Sequence, residues 1–403
     1  MKYDFTSIMD RRGHDAMAVD AIGNMSGFAP EGPEDGFDVI PMWVADMNFP
    51  VCPAITGAIN ERVSHPAFGY FSPRREYFDS IIRWQETRHG VEGLTAECIG
   101  YENGVLGGLV SALNVLCSRG DKVLVHTPTY IGFTGTLRNN GYQIVHSPLV
   151  RDEDGVWRMD YEDMEEKIRG GNIHAAVFCS PHNPCGRVWE REELERAYAL
   201  FKKYDVYVVS DEIWSDIILQ GHAHIPSQSI SEDARMRTVA LYAPSKTFNL
   251  AGLIGSYHII YNKWLRDRVR KESSLCHYND MNVLSMHALI GAYREEGSEW
   301  VDELCSVLTG NVRYAVDYFR NHFEGVSLAE PEGTYMLFPD CSEWCRDHGK
   351  TLKELEHMCW RVGVSLQDGA MFNGPWNLRI NLALPLSRVQ EAMERLDKYV
   401  FNA

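Results

Sequence analysis

The sequence lacks a long hydrophobic run: no stretch approaches the ~18 consecutive apolar residues that a membrane-spanning helix needs. Its N-terminal stretch, MKYDFTSIMDRR, has an acid at the fourth position and no apolar core, which is not the pattern of a secretory signal. Positive charge is also scarce, since 39 Lys and Arg stand against 56 Asp and Glu and the formal net charge is −17. This balance disfavours a nucleic-acid backbone or an anionic membrane as a partner.

Paired cysteine spacing is absent as well. The ten cysteines are scattered along the chain, which favours free thiols in a reducing cytoplasm over a disulfide framework. GHAH at 221–224 puts two histidines in one hydrophilic turn, and CSEWC at 341–345 has the wrong spacing for a zinc knuckle. No metal site is therefore predicted.

Two common catalytic signatures are also missing. No G-x-S-x-G elbow of a serine hydrolase occurs in the chain. HGKT at 348–351 ends like a phosphate-binding P-loop, but Trp344 occupies the place of the first glycine that this loop requires. Neither of these classes of enzyme is indicated.

The sequence does contain a regular alternation of short apolar strands and helices between about residues 50 and 285. DKVLVHTPTY, HAAVFCSPHNP, YDVYVVSDEIW and TVALYAPSK each read as a buried strand that ends in a turn. EREELERAYALFKKY reads as a helix, because its acid-rich start and lysine-rich end suit the helix dipole. The pattern predicts an α/β fold with a mainly parallel sheet that is covered by helices on both faces.

A chain of 403 residues exceeds the usual size of a single core, so we expect two lobes. Residues 1–50, with a Gly-, Pro- and acid-rich stretch at 20–40, are predicted to form an arm that joins the smaller domain. Residues 51–290 are predicted to form the large domain and residues 291–403 the small α+β domain. Long helices are expected from about residue 285, with a break near Gly297.

Four predicted strand ends deliver polar or aromatic side chains: Tyr130, Asn183, Asp211 and Lys246. Ligands of an open α/β sheet bind beyond these carboxyl ends. A buried aspartate without a local cation needs one from elsewhere, and a desolvated lysine is a nucleophile that suits an imine with an aldehyde. Tyr130 could stack on a flat ring, and Asn183 could donate to a ring hydroxyl. Ring, aldehyde, hydroxyl and basic nitrogen together describe pyridoxal phosphate.

A phosphate has its own candidate site. ENGVLGGLVSALNVL places Gly104 at a turn that opens a helix, so the N–H groups of Val105 and Leu106 could point at an anion. Each of these features taken alone is ordinary, since a lysine at a strand end is usually a solvated cap and Asn-Pro is a common turn. Their joint occurrence at strand ends indicates a cofactor site.

The segments PHNPCGR, SDEIW and APSKTFNLAGL resemble the signatures of fold-type I pyridoxal-phosphate enzymes, in the class I/II aminotransferase superfamily. PMWVADMNFP, FGYFSP and SKTFNLAGL are similar to the MalY/PatB branch of cystathionine β-lyases and cysteine C–S lyases. The similarity runs from residue 38 to the last helix. It implies a large domain built on a mainly parallel, seven-stranded sheet.

The resemblance implies roles for residues on the cofactor. Lys246 would carry the cofactor as an imine and move the Cα proton of the substrate, and Asp211 would pair with the pyridine nitrogen. Asn183 would contact the ring hydroxyl and Tyr130 would stack on the ring. Ser245, with the amides of Val105 and Leu106, would hold the phosphate.

Further roles concern the substrate and a second subunit. Arg379, in NLRIN, would bind the substrate carboxylate as a bidentate fork, and the backbone of Ala45 would lie near the same carboxylate. Tyr70, in FGY, would reach the phosphate of a neighbouring subunit, which implies a homodimer with shared sites. Arg379 has independent support, because an arginine in an apolar strand needs an anion; an ion pair with an acid of the protein is the alternative.

Three positions depart from the family pattern. Trp214 stands where many relatives have a cofactor-contacting Tyr or His, and an indole N–H donates but does not accept hydrogen bonds. Ile254 occupies the place of an arginine that binds the phosphate in many members of the superfamily. Asn48 replaces the aspartate of the usual ADMDF.

The branch resemblance implies β-elimination from cystathionine or cysteine S-conjugates, which yields a thiol, pyruvate and ammonia. An aminotransferase is the alternative, because both reactions use the same residues. Arg74 or Arg75 beside Tyr70 could then serve a second substrate carboxylate, although a solvated loop is the favoured explanation of that pair. A third possibility is a binding or regulatory protein without catalysis, which the retention of Lys246 and Asp211 disfavours.

Overall fold

A computed structural model describes residues 1–25, 27–275 and 279–402 of the chain. The strands are β1 Ile40–Pro41, β2 Ile99–Glu102, β3 Lys122–Thr127, β4 Gln143–Arg151, β5 Trp157–Met159, β6 Ile173–Cys179, β7 Tyr207–Asp211, β8 Thr238–Tyr242, β9 Ser256–Ile259, β10 Met336–Leu337, β11 Val364–Ser365, β12 Gln367–Asp368 and β13 Leu378–Asn381.

The α-helices of the described residues are α1 Met17–Asp20, α2 Pro53–Val63, α3 Arg75–His89, α4 Val105–Leu116, α5 Ile131–Asn139, α6 Tyr161–Gly171, α7 Arg191–Lys203, α8 Glu232–Arg237, α9 Pro244–Thr247, α10 Lys263–Ser273, α11 Val283–Ala292, α12 Glu295–His322, α13 Ser342–Asp347, α14 Leu352–Arg361 and α15 Leu386–Leu396. No helix within these residues is long and apolar enough to cross a bilayer.

The main sheet has the strand order β2-β9-β8-β7-β6-β3-β4-β5. Strands β8, β7, β6, β3 and β4 pair in parallel, whereas β2, β9 and β5 are antiparallel to their neighbours. Every residue of β8 is buried, and β6 and β7 are buried almost throughout, which is the pattern of strands covered on both faces. The predicted α/β fold is confirmed. The sheet has eight strands rather than the expected seven, because the short strand β5 adds to one edge.

A smaller sheet, β10-β13-β12, lies in the C-terminal part of the chain. The N-terminal arm reaches the same region, since β1 pairs in parallel with β11 through Ile40 and Val364. The arm is thus held to C-terminal structure. The domain boundaries themselves stay predictions.

The break between the long helices lies earlier than expected. Helix α11 ends at Ala292 and α12 begins at Glu295, so Gly297 is inside the first turn of α12 and not at the break. A Cβ built on Gly297 would come within 1.8 Å of the carbonyl oxygen of Ala292. Position 297 therefore requires glycine, because the second helix starts directly against the end of the first. Sequence periodicity does not reveal this contact.

Gly297→Ala should lower the free energy of unfolding by about 1–3 kcal/mol, as for other overpacked sites. The exposed Gly310 lies in the same helix, and a Cβ there meets nothing within 4 Å. Gly310→Ala is the matched control and should raise stability by roughly 0.5–1 kcal/mol. Urea denaturation of both variants tests this, and equal effects of the two substitutions would contradict it.

Candidate active site

The strand register brings the predicted residues to one edge of the main sheet. Cys179, the last residue of β6, pairs with Asp211 at the end of β7, and Asp211 pairs in turn with Leu241 of β8. Because these strands are parallel, the segments that follow them leave the sheet on the same side. They surround a cavity of about 250 Å³.

Most of the predicted site residues line this cavity. They are Ala45, Val105, Leu106, Tyr130, Asn183, Asp211, Trp214, Ser245 and Lys246. These residues come from positions 45 to 246 of the chain and share one cavity. They are therefore not unrelated residues at separate strand ends. Arg379 and Tyr70 are not among the residues that line the cavity.

Lys246 lies in the short helix α9, directly after β8. Its Nζ donates a 2.8 Å hydrogen bond to the carbonyl oxygen of Ala45 and lies 5.7 Å from the centre of the Trp214 ring. Burial, and then the positive charge of Arg379, lower the pKa of Lys246 to about 8. A sizeable fraction of this amine is therefore neutral and nucleophilic near neutral pH.

Asp211 is 4% exposed and accepts a 3.0 Å hydrogen bond from the N–H of Ile213. Burial raises the pKa of Asp211 to about 7. It forms no ion pair with any residue that the structure describes. A buried carboxylate with this environment is stabilised by a cation brought into the cavity.

Asn183 and Tyr130 also line the cavity, where they could contact a flat ligand. The side-chain oxygen of the buried Asn183 has no hydrogen-bond partner among the described residues. Burial, and then Asp211, raise the pKa of Tyr130, so its phenol stays protonated. Gly132 allows the Tyr130 ring to fold back along α5, because a Cβ at Gly132 would come within 2.3 Å of that ring.

The start of α4 also lines the cavity. Gly104 precedes this helix with φ 86°, a conformation that glycine adopts readily. Val105 and Leu106 follow it, and the first N–H groups of a helix have no acceptor within the helix. Ser245 and Ser256 add hydroxyl groups to the wall. This end suits a phosphate.

Arg379 lies in β13 and is 4% exposed. One terminal nitrogen, Nη2, donates to the carbonyl oxygen of Trp43 at 2.6 Å and to the side-chain oxygen of Gln367. No described acid pairs with Arg379, so the alternative of an internal ion pair is wrong for the part of the chain that the structure describes. Burial lowers the pKa of Arg379 to about 10, which indicates a cation that lacks an anion.

Tyr70 is not part of this cavity. It is fully exposed on the segment between α2 and α3 of the single chain. Two of the departures from the family pattern are at the cavity, since both Trp214 and Ile254 line it. Asn48 is elsewhere: it accepts a hydrogen bond from Arg11 at 3.0 Å.

The histidines and cysteines that come close to metal-ligand spacing have other surroundings. His224 pairs with the buried Glu212 at 2.9 Å. Cys341 and Cys345 are buried, and no cysteine within the described residues forms a disulfide. No group of three or more possible ligands for a metal occurs in the described ranges.

Sequence reasoning missed the residues that contact Arg379, together with Cys179, Ile213 and Ser256 in the cavity wall. The sequence does contain a signal for Gln367. LQDG and NLRIN flank a turn, and in an antiparallel pair of strands Gln367 and Arg379 can face each other. The structure pairs Gln367 with Arg379 in this way. The contact of Trp43 has no local signal, because it joins positions 336 residues apart.

The cavity fits the cofactor that the resemblance implies. The unpaired Asp211 suits the protonated nitrogen of a pyridine ring, and the free side-chain oxygen of Asn183 leaves this amide available to a ring substituent. Lys246 suits the aldehyde, and the start of α4 suits the phosphate. Fold and site together define a cofactor-dependent α/β enzyme.

The family model described as Aminotransferase class I and II matches residues 38–396. The chain therefore belongs to this family. It is 33% identical over 396 residues to cystathionine beta-lyase PatB of Bacillus subtilis (strain 168), and 98% of each chain is covered. It is 28% identical to protein MalY of Escherichia coli (strain K12), again with 98% of each chain covered.

A solved structure gives the same result for the fold. The PLP-bound C–S lyase from Staphylococcus hominis superposes with a TM-score of 0.89 at 29% identity, covering 99% of this chain and 98% of that one. The resemblance to the MalY/PatB branch is confirmed.

Replacing Asp211 by Asn should change how the stability of the cofactor-free protein depends on pH. The folded-state pKa of Asp211 is raised from 3.8 to about 7, so its contribution to stability is complete below about pH 4 and is lost as the pH rises through 7. The wild type should lose up to about 1.4 kcal/mol per pH unit relative to Asp211→Asn in this window.

Urea unfolding of both proteins at a series of pH values from 4 to 8 measures this difference. Asp205→Asn is a suitable control, because its carboxylate is highly exposed. Parallel stability curves for wild type and Asp211→Asn would contradict the prediction.

Proposed function

We propose that this chain is a pyridoxal-phosphate-dependent C–S β-lyase that acts on cystathionine or related cysteine S-conjugates. The observation that carries the proposal is a single cavity where the low-pKa amine of Lys246 faces a buried aspartate without a cationic partner. When bound, the cofactor supplies an electron sink for negative charge at the Cα atom of an amino acid.

The residues of the chain have distinct tasks in this proposal. Arg379 binds the α-carboxylate and orients the substrate. Asp211 keeps the pyridine nitrogen protonated, and Lys246 takes the Cα proton onto Nζ. The C–S bond then breaks with its electron pair on sulfur, the thiolate leaves, and the remaining fragment takes up water to give pyruvate and ammonia.

The choice of a lyase over an aminotransferase is supported by the relatives. PatB is described as a cystathionine beta-lyase, and the Staphylococcus hominis protein as a C–S lyase. The family description itself favours the second candidate, an aminotransferase. Both reactions begin with transfer of the Cα proton to Lys246. The lyase then breaks the C–S bond, whereas the aminotransferase returns a proton to the cofactor, so the same residues of the cavity serve both.

One experiment separates these functions. Purified protein with a band near ~420 nm, typical of the cofactor imine, is given cystathionine or cystine while pyruvate and thiol are followed. Release of both products is expected. Loss of the band to that of the aminated cofactor, without pyruvate, would identify an aminotransferase. A protein that stays colourless with added pyridoxal phosphate would contradict the proposal.

Lys246→Ala should abolish the ~420 nm band and lower kcat by about 10³-fold or more, since it removes both the attachment of the cofactor and the group that moves the proton. The exposed Lys203 pairs with Glu165 at the surface and provides the control Lys203→Ala. A purely regulatory protein would show no turnover in either the wild type or Lys246→Ala. If Lys246→Ala cleaves the substrate as fast as the wild type does, the role assigned to Lys246 is wrong.

We also propose that the enzyme is a homodimer in the cytoplasm, with Tyr70 of one subunit at the cofactor phosphate of the other. This is supported by the full exposure of Tyr70 in the single chain and by its absence from the cavity. Exposed Phe68 and Phe71 lie beside it, as expected for a covered aromatic surface.

Tyr70→Phe should raise the dissociation constant of pyridoxal phosphate by roughly tenfold or more, the usual effect of losing a hydrogen bond to a charged group. Tyr399→Phe removes a hydroxyl from another partly exposed tyrosine and is the control. Co-expression of Tyr70→Phe with Lys246→Ala should restore turnover at limiting cofactor, because one site of the mixed dimer keeps both residues. Absence of restored turnover would contradict a shared site.

A further inference from the structure

Arg379 is occupied by the chain's own oxygens. Its Nη2 donates to the carbonyl oxygen of Trp43 and to the side-chain oxygen of Gln367. This nitrogen carries two hydrogens, so both of its hydrogen bonds are taken. By contrast, Nε is buried without a partner among the described residues.

This occupation affects how a carboxylate can bind. A guanidinium holds a carboxylate best through two parallel N–H bonds. Either such fork uses Nη2, once together with Nε and once together with Nη1. A carboxylate that forms a fork with Arg379 must therefore displace one of the two present acceptors.

Gln367 is the acceptor that is free to move. The oxygen of Trp43 belongs to the main chain, whereas Gln367 contributes a half-buried side chain. The main chain of Gln367 stays in register with Arg379 in the small sheet. Gln367 also lies in the wall of a second cavity of about 660 Å³, which gives a displaced side chain room.

Arg379 itself is held in place. The ring of Phe372 lies 4.4 Å from the guanidinium carbon, measured to the ring centre, and Trp43 fixes Nη2 from the main chain. The guanidinium thus keeps its orientation when the amide of Gln367 leaves. Gln367 is not needed to aim it.

We propose that Gln367 is an internal competitor of the substrate carboxylate. In the free enzyme its amide oxygen stabilises the buried, unpaired cation, and the incoming carboxylate replaces it. An amide suits this exchange because it is neutral, so the charge of Arg379 stays available. The inference rests on the proposed function, in which Arg379 binds the substrate carboxylate.

Gln367→Ala in the holoenzyme should bind the probe propionate more tightly. The dissociation constant should fall by roughly tenfold or more, the usual worth of one hydrogen bond to a charged group. Propionamide, which has no charge, should show no such gain. The shift of the thermal unfolding temperature with propionate concentration measures binding without any turnover, and KM for the substrate should fall while kcat is unchanged.

Gln367→Glu should have the opposite effect. A carboxylate at this position pairs with Arg379 permanently, so propionate binding should weaken by roughly tenfold or more. Gln220 is exposed and distant from Arg379 in the chain, and Gln220→Ala and Gln220→Glu should both behave as the wild type. Unfolding temperatures without propionate check that each variant is folded.

Propionate binding by Gln367→Ala that is unchanged or weaker overturns the inference, since Gln367 would then support Arg379 and not compete for it. Failure of propionate to bind either the wild type or Gln367→Ala overturns it as well. Tighter binding without C–S cleavage by any variant supports the inference and contradicts the lyase proposal. If the wild type cleaves the C–S bond but Gln367→Ala binds propionate no more tightly than the wild type does, the inference is wrong and the lyase proposal is retained.

Discussion

The arrangement of the site depends on two buried charges, Asp211 and Arg379, that form no ion pair with the described residues. Elsewhere the protein pairs its buried ions: Arg187 contacts Glu193 and Glu332, and Glu212 contacts His224. An unpaired buried ion costs several kcal/mol, so two such ions lower the stability of the fold. In the proposed function, a cofactor and a substrate would supply the missing charges and offset this cost.

Strand β7 shows how neighbouring acids acquire opposite functions. Asp211 ends the strand toward the cavity, and the next residue, Glu212, points into the core, where it accepts hydrogen bonds from Ser210 and Tyr242. Burial raises the pKa of Asp211, whereas the hydrogen bonds and His224 outweigh burial and lower the pKa of Glu212. Both carboxylates are desolvated, but hydrogen bonds and His224 stabilise only the charge of Glu212. Asp211 therefore favours the binding of a cation, whereas Glu212 stabilises the fold.

The extent of prediction from sequence follows from the range of the interactions. Asp211 and Lys246 could be located because one ends and the other closely follows a short, buried strand, and parallel strands put such ends at one edge. The contact between Lys246 and Ala45 spans 201 residues and leaves no local pattern. Gly297 predicts a helix break in its neighbourhood, but its contact with Ala292 cannot be predicted from the local sequence. The position of Tyr70 relative to a partner depends on a second chain.

The departure at Ile254 changes how a phosphate is held. Among the described residues that line the cavity, Lys246 is the one cation, and in the proposed function its amine would be bound to the aldehyde of the cofactor. A phosphate at α4 would then rely on helix N–H groups and hydroxyls of the same chain, which are neutral donors. Neutral donors bind an anion more weakly than an arginine fork does. Retention of the cofactor should consequently depend more on a hydroxyl from a second subunit than it does in relatives that have an arginine at this position.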